Sequence, residues 1–356
     1  MRIAFTSIFL NPKSGTDNAW GLEFFYFKKL FENIGYEVHY VGNKIRKYQD
    51  FEHYVHYENA DFNSYDALLF FPSNANFFGG VMSPIWPIMV EKVAGFRGPI
   101  IQMQSDPRVL ISNPAAPLFK RFGVCGEHVE RWNEILKESH YLFPGKDISK
   151  YTGWTPEKVY QYDWFKYILR DRMIDLKSSA LFESEIEKRF DVVYYGNSNR
   201  GSFREKQLRH YFPKDTRNLL IGYKTDHIPA DFMSKVPHSQ LLSKLQECKV
   251  SLVVGDEEHL DNVITFRLYE TLASECLAAI QIEYDPNREI IEDPVLKELL
   301  YVKNSDDVKK IAESYSKELL DRQKKELARL LKSKNEQLAE FRSVVESMNL
   351  YAGLTE

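Results

Sequence analysis

Short apolar runs of strand type alternate with segments of helical apolar spacing, and this alternation occurs twice along the chain. In the first half, strands are predicted at Ile3–Phe9, Glu37–Val41, Ala67–Phe71 and Ile100–Gln104, and helices at Leu22–Phe31 and Ile85–Phe96. In the second half, strands are predicted at Asp191–Tyr195, Leu219–Gly222, Val250–Gly255 and Leu277–Glu283, and helices from about Phe203, at Ser239–Cys248 and at Ile264–Cys276. Strand, helix and strand in this order are typical of a parallel sheet with helices on both faces. The pattern predicts an α/β protein with two Rossmann-like domains.

The chain length agrees with two domains. The sequence has 356 residues, and domains usually have about 100–200 residues each. Apolar residues make up 44% of the chain, which excludes wholesale disorder. Residues 107–130 contain several prolines and glycines, and we expect a long loop with short helical pieces there. Residues 150–185 are aromatic and charged without clean periodicity, and we place the domain junction around 165–188.

The C-terminal part is predicted to be helical at Ser305–Ser316 and then over one long stretch from Lys317 to Met348. One face of that stretch carries an apolar stripe: Leu320, Leu327, Leu331, Leu338, Phe341 and Val345. Such a stripe can form a coiled coil with a partner or dock on its own protein. The stripe is shorter than the several heptads that a coiled coil needs, so we favour docking on the same chain.

Composition excludes several classes of protein. The net charge of −4 excludes a global basic field that would attract nucleic acid, so any such binding needs a local patch. Three cysteines are too few for a disulfide framework or a thiolate metal cage, and they favour a reducing cytoplasm. No signal peptide or membrane-spanning run is recognisable. His53 and His56 lack a convincing third ligand nearby in the sequence, and we expect surface residues and no metal site there.

The sequence also lacks three common motifs. There is no Walker A motif, no Rossmann Gly-x-Gly-x-x-Gly and no Gly-x-Ser-x-Gly. Candidate site residues must therefore come from the carboxyl ends of the predicted strands, where open α/β sheets bind their ligands.

Four charged residues in the second half are candidates for nucleotide binding. Arg267 and Glu270 are three residues apart near the start of a predicted helix, so they share one face. The arginine can bind phosphate and the carboxylate can accept hydrogen bonds from ribose hydroxyls, although an ordinary intrahelical ion pair is the commoner explanation. Arg200 and Arg204 follow a strand through the loop that begins at Gly196, an arrangement that suits phosphate but also fits two solvated arginines.

Two carboxylates in the first half are weaker candidates. Asp106 ends a predicted strand and could act as a general base, although capping of the next turn explains it as well. Glu23 lies early in the first helix, where the helix dipole favours a carboxylate in any protein.

Several of these segments together resemble the phage DNA β-glucosyltransferases, which glucosylate 5-hydroxymethylcytosine in duplex DNA. The resembling stretches are MRIAF at the start, NFFGG at 76–80, Asp106–Arg108, DVVYYGNSNRGSFRE at 191–205, VVGDEEHLDNVITFRLYETLAS at 253–274 and EYDPNREIIED at 283–293. The resemblance implies the GT-B architecture, in which two Rossmann-like domains face each other across a cleft. Residues 1–175 would form an acceptor and DNA-binding domain, on which a C-terminal helix at about 335–356 packs back. Residues 188–334 would bind the donor.

The resemblance also implies a donor and a set of roles. The donor would be a UDP-sugar. In this family a divalent metal, Mg or Mn, often assists the reaction by binding the diphosphate, although the sequence shows no dedicated set of protein ligands for one. Asp106 would be the general base of a single inverting displacement, with Glu23 nearby. The donor would be bound by Arg200, Arg204 and Arg267 at the diphosphate, by Glu270 at the ribose, and by Gly196, Asp256 and His259 in the same region.

The partner would be double-stranded DNA containing hydroxymethylcytosine, with the target base turned out of the duplex. Candidate phosphate contacts are Lys44, Arg46, Lys47, Lys120 and Arg121, although solvated surface residues explain each of them as well. We expect a monomer in the cytoplasm, that of the host cell if a phage encodes the protein.

The sugar and the acceptor stay open. His259 stands where we expect an aromatic residue in the best-known family members, so glucose is the first expectation and arabinose or another pentose the second. There are two alternatives to DNA-base transfer. One is a GT-B transferase for a small-molecule or glycan acceptor, and the other is an inactive relative that only binds nucleotide or DNA.

Overall fold

The computed structural model describes eight stretches of the chain: residues 1–6, 19–42, 53–70, 85–104, 126–166, 186–196, 202–222 and 228–350. The chain divides into two compact units. Unit 1 comprises Met1–Asp163 and Lys334–Glu356, and unit 2 comprises Trp164–Ser333. The acceptor role expected for the first domain and the donor role expected for the second stay predictions.

Unit 1 contains a parallel sheet whose seven described strands have the order β3-β2-β1-β4-β5-β6-β7. The strands are β1 Arg2–Thr6, β2 Glu37–Gly42, β3 Tyr54–His56, β4 Ala67–Phe70, β5 Ile100–Met103, β6 His140–Phe143 and β7 Val159–Gln161. The helices are α1 Ala19–Asn33, α2 Ile85–Ala94, α3 Gly126–Glu138, α4 Ser149–Thr152 and α11 Lys334–Ser347.

Unit 2 repeats this plan with a parallel sheet whose six described strands have the order β10-β9-β8-β11-β12-β13. The strands are β8 Phe190–Gly196, β9 Asn218–Gly222, β10 Asp231–Ser234, β11 Cys248–Val253, β12 Leu277–Gln281 and β13 Tyr301–Val302. The helices are α5 Phe203–Tyr211, α6 His238–Leu245, α7 Phe266–Ala273, α8 Pro294–Leu300, α9 Ser305–Ser314 and α10 Lys317–Leu330. Both sheets thus have the doubly wound order of a Rossmann fold.

The predicted single long helix over residues 317–348 is wrong. The structure has two helices, α10 in unit 2 and α11 in unit 1, separated at Leu331. In α10, the buried Gln323 accepts from the Ala278 N–H and donates to the Cys276 carbonyl, which ties the helix to the start of β12. The apolar stripe is therefore shared between the two units, and each half docks on its own unit.

Helix α11 packs on α1 through aromatic rings. The Phe341 ring centroid lies 5.0 Å from that of Phe31 and 6.0 Å from that of Phe27. Gln337 is buried and donates to the Tyr26 hydroxyl, which lies 2.7 Å from the Tyr162 hydroxyl. Docking of the C-terminal helix on its own protein, which we favoured over a coiled coil, is what the structure shows for this segment.

Other differences are local. Helix α3 begins at Gly126, within residues 107–130 for which we expected a long loop with short helical pieces, and α6 ends at Leu245, so that Cys248 begins a strand. Cys248 and Cys276 are buried free thiols. Among the described residues, no helix is long and apolar enough to cross a membrane.

Candidate functional site

The strand order of unit 2 fixes where a ligand can bind. The first strand of this sheet, β8, lies between β9 and β11. The chain adds β9 and β10 on one side of β8 and then crosses over to add β11, β12 and β13 on the other side. In doubly wound sheets, this switch point leaves a crevice at the carboxyl ends of the two strands. Here those ends are Gly196 on β8 and Val253 on β11, and the predicted site residues of unit 2 that the structure describes cluster around them.

Arg267, in the first turn of α7, bridges the two strand ends. Its Nη1 donates to the Val254 carbonyl at 2.8 Å, and its Nη2 and Nε donate to the Tyr195 carbonyl at 3.1 and 3.3 Å. The guanidinium carbon lies 4.7 Å from the ring centroid of Tyr194 and 5.3 Å from that of Tyr195. Each terminal nitrogen carries a second N–H beyond the one used in these bonds. The guanidinium is thus held in one orientation, with donors that suit an anion at the switch point.

Two glycines make room for this arrangement. Gly196 has φ +130°, and a Cβ there would lie 2.7 Å from Nη2 of Arg267. Gly222, at the end of β9, has φ +135°, and a Cβ there would lie 2.2 Å from the carbonyl oxygen of Gly196. Both positions need a backbone conformation that other residues rarely adopt, and both lack space for a side chain. The geometry explains why glycine stands at each strand end.

Glu270 lies one turn after Arg267 and is 2% exposed. Its Oε2 accepts a hydrogen bond from the Tyr195 hydroxyl at 2.7 Å. Burial and, as the second cause, the Glu270 charge raise the pKa of Tyr195 well above its usual value. The phenol therefore stays protonated and donates a hydrogen bond to the carboxylate. Arg267 and Glu270 thus contact different partners in the structure: backbone carbonyls for the arginine, the phenol for the carboxylate.

Arg204 belongs to α5, whose first turn is capped by the Ser202 hydroxyl accepting from the Glu205 N–H at 3.1 Å. Arg204 is paired with the Asp256 carboxylate, which lies in the loop that follows β11. This ion pair joins α5 to the loop. It places a second guanidinium, with only 12% of its side chain exposed, beside the same strand end.

His259 is buried next to this ion pair. Its Nδ1 accepts from the Asp256 backbone N–H at 3.0 Å, so the proton of the neutral ring is on Nε2. Burial, together with the charges of Arg204 and Arg267, lowers the pKa of His259 to about 3. The ring is therefore neutral at physiological pH and braces the loop as a hydrogen-bond acceptor.

In unit 1, Glu23 lies in α1 and is 2% exposed. Asp106 and Arg200 lie outside the described residues, as do the NFFGG segment at 76–80 and the lysines and arginines considered as DNA contacts. Their roles stay predictions.

Three tyrosines of the site were not predicted from the sequence. Tyr194 and Tyr195 flank Arg267, and Tyr284 accepts from the Thr265 N–H at the start of α7. In the sequence, two adjacent tyrosines at the end of an apolar strand are typical of core residues. Their contact with Arg267 on α7 becomes visible only once the strands are paired.

The described donors in unit 2 do not form a metal cage. Asp256 is engaged by Arg204 and Glu270 by the Tyr195 hydroxyl. The group of described His, Cys, Asp and Glu side chains that could hold an ion lies in unit 1. A metal at the switch point would have to be held chiefly by its ligand's own oxygens.

Comparison with known proteins identifies relatives. The DNA beta-glucosyltransferase of Enterobacteria phage T4 is 23% identical over 291 residues, covering 76% of this chain and 78% of that protein. This chain is a relative of the phage DNA glucosyltransferases. The resemblance predicted from the sequence motifs is therefore confirmed, as is the prediction that the chain is an enzyme. No protein-family model matches the sequence.

Solved structures of this group share the fold. T4 phage BGT in complex with UDP and Mn2+ matches with a TM-score of 0.71 at 21% identity, covering 97% of this chain and 99% of that one. An alpha-glucosyltransferase in complex with UDP-glucose and DNA containing an abasic site matches with a TM-score of 0.57 at 13% identity, with the same coverage. The predicted fold class of two Rossmann-like domains in the GT-B architecture is confirmed.

Proposed function

We propose that this enzyme transfers a sugar from a UDP-sugar to a base of double-stranded DNA. The observation that carries the proposal is the orientation of Arg267, whose guanidinium joins the carboxyl ends of β8 and β11 at the switch point of the donor domain. A doubly wound sheet binds nucleotides at this point, and a fixed guanidinium there suits a diphosphate. The sequence similarity to a phage DNA glucosyltransferase supports DNA as the acceptor.

The donor is held by unit 2. Arg204 and Arg267 neutralise the diphosphate together with Arg200, and the N-terminus of α7 adds its positive dipole end. Glu270 accepts hydrogen bonds from the ribose hydroxyls. Gly196 lets the chain pass close to the phosphates, while Asp256 and neutral His259 keep Arg204 and the loop after β11 in place. A divalent ion, Mg or Mn, would bind to diphosphate oxygens.

The reaction is a single displacement with inversion. The hydroxymethyl oxygen of 5-hydroxymethylcytosine attacks the anomeric carbon and forms the new C–O bond. The bond from that carbon to the β-phosphate oxygen breaks, UDP leaves, and the acceptor proton passes to Asp106. The arginines stabilise the charge that develops on UDP, because they are oriented before the reaction begins. The target base must leave the duplex to reach the enzyme.

Glucose is the proposed sugar, with arabinose or another pentose as the competitor. The beta configuration is supported by the curated relative and by the TM-score of 0.71 to T4 phage BGT, against 0.57 to the alpha-glucosyltransferase. Since UDP-glucose carries an α-linkage, a β-linked product means inversion.

The test is transfer to duplex DNA containing hydroxymethylcytosine, with a panel of UDP-sugars and mass spectrometry of the digested nucleosides. We expect a hexose adduct on hydroxymethylcytosine, none on cytosine, and a β-anomeric proton coupling in its NMR spectrum. A pentose adduct would replace glucose as the sugar, and an α-linked product would refute inversion. Transfer only to small alcohols or glycans would refute DNA as the acceptor, and UDP binding without any transfer would indicate an inactive relative.

A variant separates binding from chemistry. Asp106→Ala should abolish transfer while UDP affinity stays nearly unchanged, because a general base acts on the acceptor and not on the nucleotide. Equal loss of transfer and of UDP affinity would remove Asp106 from the role of base.

A further inference from the structure

Three side chains at the edge of the unit 1 sheet converge on one point. Nε2 of His39 lies 2.8 Å from Oε1 of Glu37, and Nε2 of His53 lies 3.4 Å from the same oxygen. One ligand atom from each of the three residues lies within 4.8 Å of the other two. The two imidazole rings are stacked, with centroids 4.7 Å apart and an interplanar angle of 20°.

The sheet register produces this cluster. Glu37 and His39 are two residues apart on β2, so their side chains leave the same face of the sheet. Tyr40 is paired with Tyr54 in the parallel ladder, and the Tyr40 N–H donates to the His53 carbonyl at 2.9 Å. His53 therefore stands beside His39 across the two strands. Sequence spacing suggested only the pair His53 and His56, which are three residues apart and so point to opposite faces of an extended chain.

The His53–Glu37 distance of 3.4 Å suits two ligands of one small divalent cation, and the 2.8 Å between His39 and Glu37 is a hydrogen bond that the cation would replace. Tetrahedral zinc binds imidazole nitrogen and carboxylate oxygen at about 2.0–2.2 Å, which places its ligands about 3.4 Å from one another. Two imidazoles and one carboxylate are a donor set that zinc favours. Glu37 has 48% and His53 46% of its side chain exposed, so solvent can supply a fourth ligand.

A further residue can orient the buried histidine. Nδ1 of His39 lies 3.2 Å from the hydroxyl of Tyr65, which is 7% exposed. When Nδ1–H donates to this hydroxyl, Nε2 keeps its lone pair and faces Glu37. Metal-binding histidines in proteins almost always have such a partner on the second nitrogen.

We infer that Glu37, His39 and His53 form a surface site for Zn2+ or a similar divalent transition metal, with Tyr65 as the residue that orients His39. The ion would link His53, the residue before edge strand β3, to Glu37 and His39 on β2. This site belongs to unit 1 and is independent of the proposed transfer reaction, so neither depends on the other.

The experiment titrates the full-length protein with Zn2+ after treatment with a chelator, in the absence of nucleotide. A chromophoric indicator that competes for zinc measures affinity and stoichiometry, and Co2+ absorption reports the coordination geometry. We expect one equivalent to bind and to raise the melting temperature. His53→Ala and Glu37→Gln should each weaken binding at least about tenfold, and Tyr65→Phe about tenfold.

His56→Ala is the matched control, because His56 lies outside the cluster and contacts Glu58 instead. It should bind Zn2+ like the wild type. Because 46% of the His53 side chain is exposed, His53→Ala should melt like the wild type in chelator, which would show that the variant is folded. Absence of stoichiometric binding to the wild type, equal binding by His53→Ala, or an equal loss in His56→Ala would each overturn the assignment.

Discussion

Replacing His259 by asparagine removes a buried titratable ring and keeps a hydrogen-bond acceptor in nearly the same place. Oδ1 of asparagine takes the position of Nδ1 of histidine, so it can accept from the Asp256 N–H that the ring now engages at 3.0 Å. The substitution therefore tests the protonation of one group with little change in the loop that follows β11.

The magnitude follows from the pKa of His259, which burial and the charges of Arg204 and Arg267 lower to about 3. In the unfolded chain the ring titrates near its usual value of about 6.5. Below that pH the unfolded state takes up a proton that the folded state does not. Stability is therefore lost progressively as the pH falls from about 6.5 towards about 3, by about 1.4 kcal/mol per pH unit. At pH 4.5 the loss from this ring is about 2.7 kcal/mol.

Urea unfolding of both proteins at several pH values between 7.5 and 4.5 measures this slope. As the pH falls below about 6.5, the free energy of unfolding should decrease less steeply in the asparagine variant than in the wild type. The difference in slope should be about 1.4 kcal/mol per pH unit. His210→Asn, which replaces an exposed histidine, is the control substitution. Imidazole nitrogen NMR should show His259 as the neutral Nε2–H form throughout. Parallel slopes for the wild type and His259→Asn, or protonation of His259 near pH 6.5, would show that the folded protein does not hold this ring in its neutral form.

Three further substitutions test the site and the fold. Arg267→Lys keeps the charge but lacks the planar fork that joins two carbonyls, so calorimetry should show UDP affinity about 10–100-fold lower, whereas Arg209→Lys should bind normally. Gly196→Ala puts a Cβ 2.7 Å from Nη2 of Arg267 at φ +130°, and thermal unfolding should show a loss of about 1–3 kcal/mol with weaker UDP binding. Phe341→Ala removes a 1% exposed ring between α11 and α1 and should lower unfolding free energy by about 3–5 kcal/mol without changing UDP affinity, while exposed Arg342→Ala should stay within about 0.5 kcal/mol of the wild type.

Each of these has a contrary result. Unchanged UDP affinity in Arg267→Lys would show that the fork does not hold the diphosphate. A fully stable Gly196→Ala with normal UDP affinity would show that the strand end tolerates a side chain. A Phe341→Ala protein as stable as the wild type would show that α11 contributes little to unit 1.

The main strands could be predicted because their apolar runs are buried on both faces. Every residue of Ala67–Phe70 and of Leu277–Gln281 is buried. Short, continuously apolar runs of this kind are typical of central strands in parallel sheets. The edge strand β3, Tyr54–His56, was missed because three partly exposed residues give no periodic signal. Its existence depends on pairing with β2, which local sequence does not encode.

The break between α10 and α11 could not be predicted for a similar reason. Residues 317–348 contain no proline or glycine, so helix propensity alone favours one continuous helix. The chain turns at Leu331 because the two halves of the stripe dock on different units. Tertiary packing here overrides local preference.

At the site, residue types were predictable and contacts were not. The spacing of Arg267 and Glu270 placed both on one helix face, as the structure has them. That spacing suggested an ion pair between them more strongly than a nucleotide site. The contacts of Arg267 with Tyr195 and Val254, and of Glu270 with the Tyr195 hydroxyl, arise from the pairing of β8 with β11.

A crystal structure with a bound UDP-sugar would show directly whether the switch point of unit 2 holds the donor. We expect the diphosphate at the carboxyl ends of β8 and β11, within hydrogen-bond distance of Arg267 and Arg204, with the ribose hydroxyls on Glu270. A nucleotide bound elsewhere in the protein, or a diphosphate without contact to Arg267, would contradict this expectation.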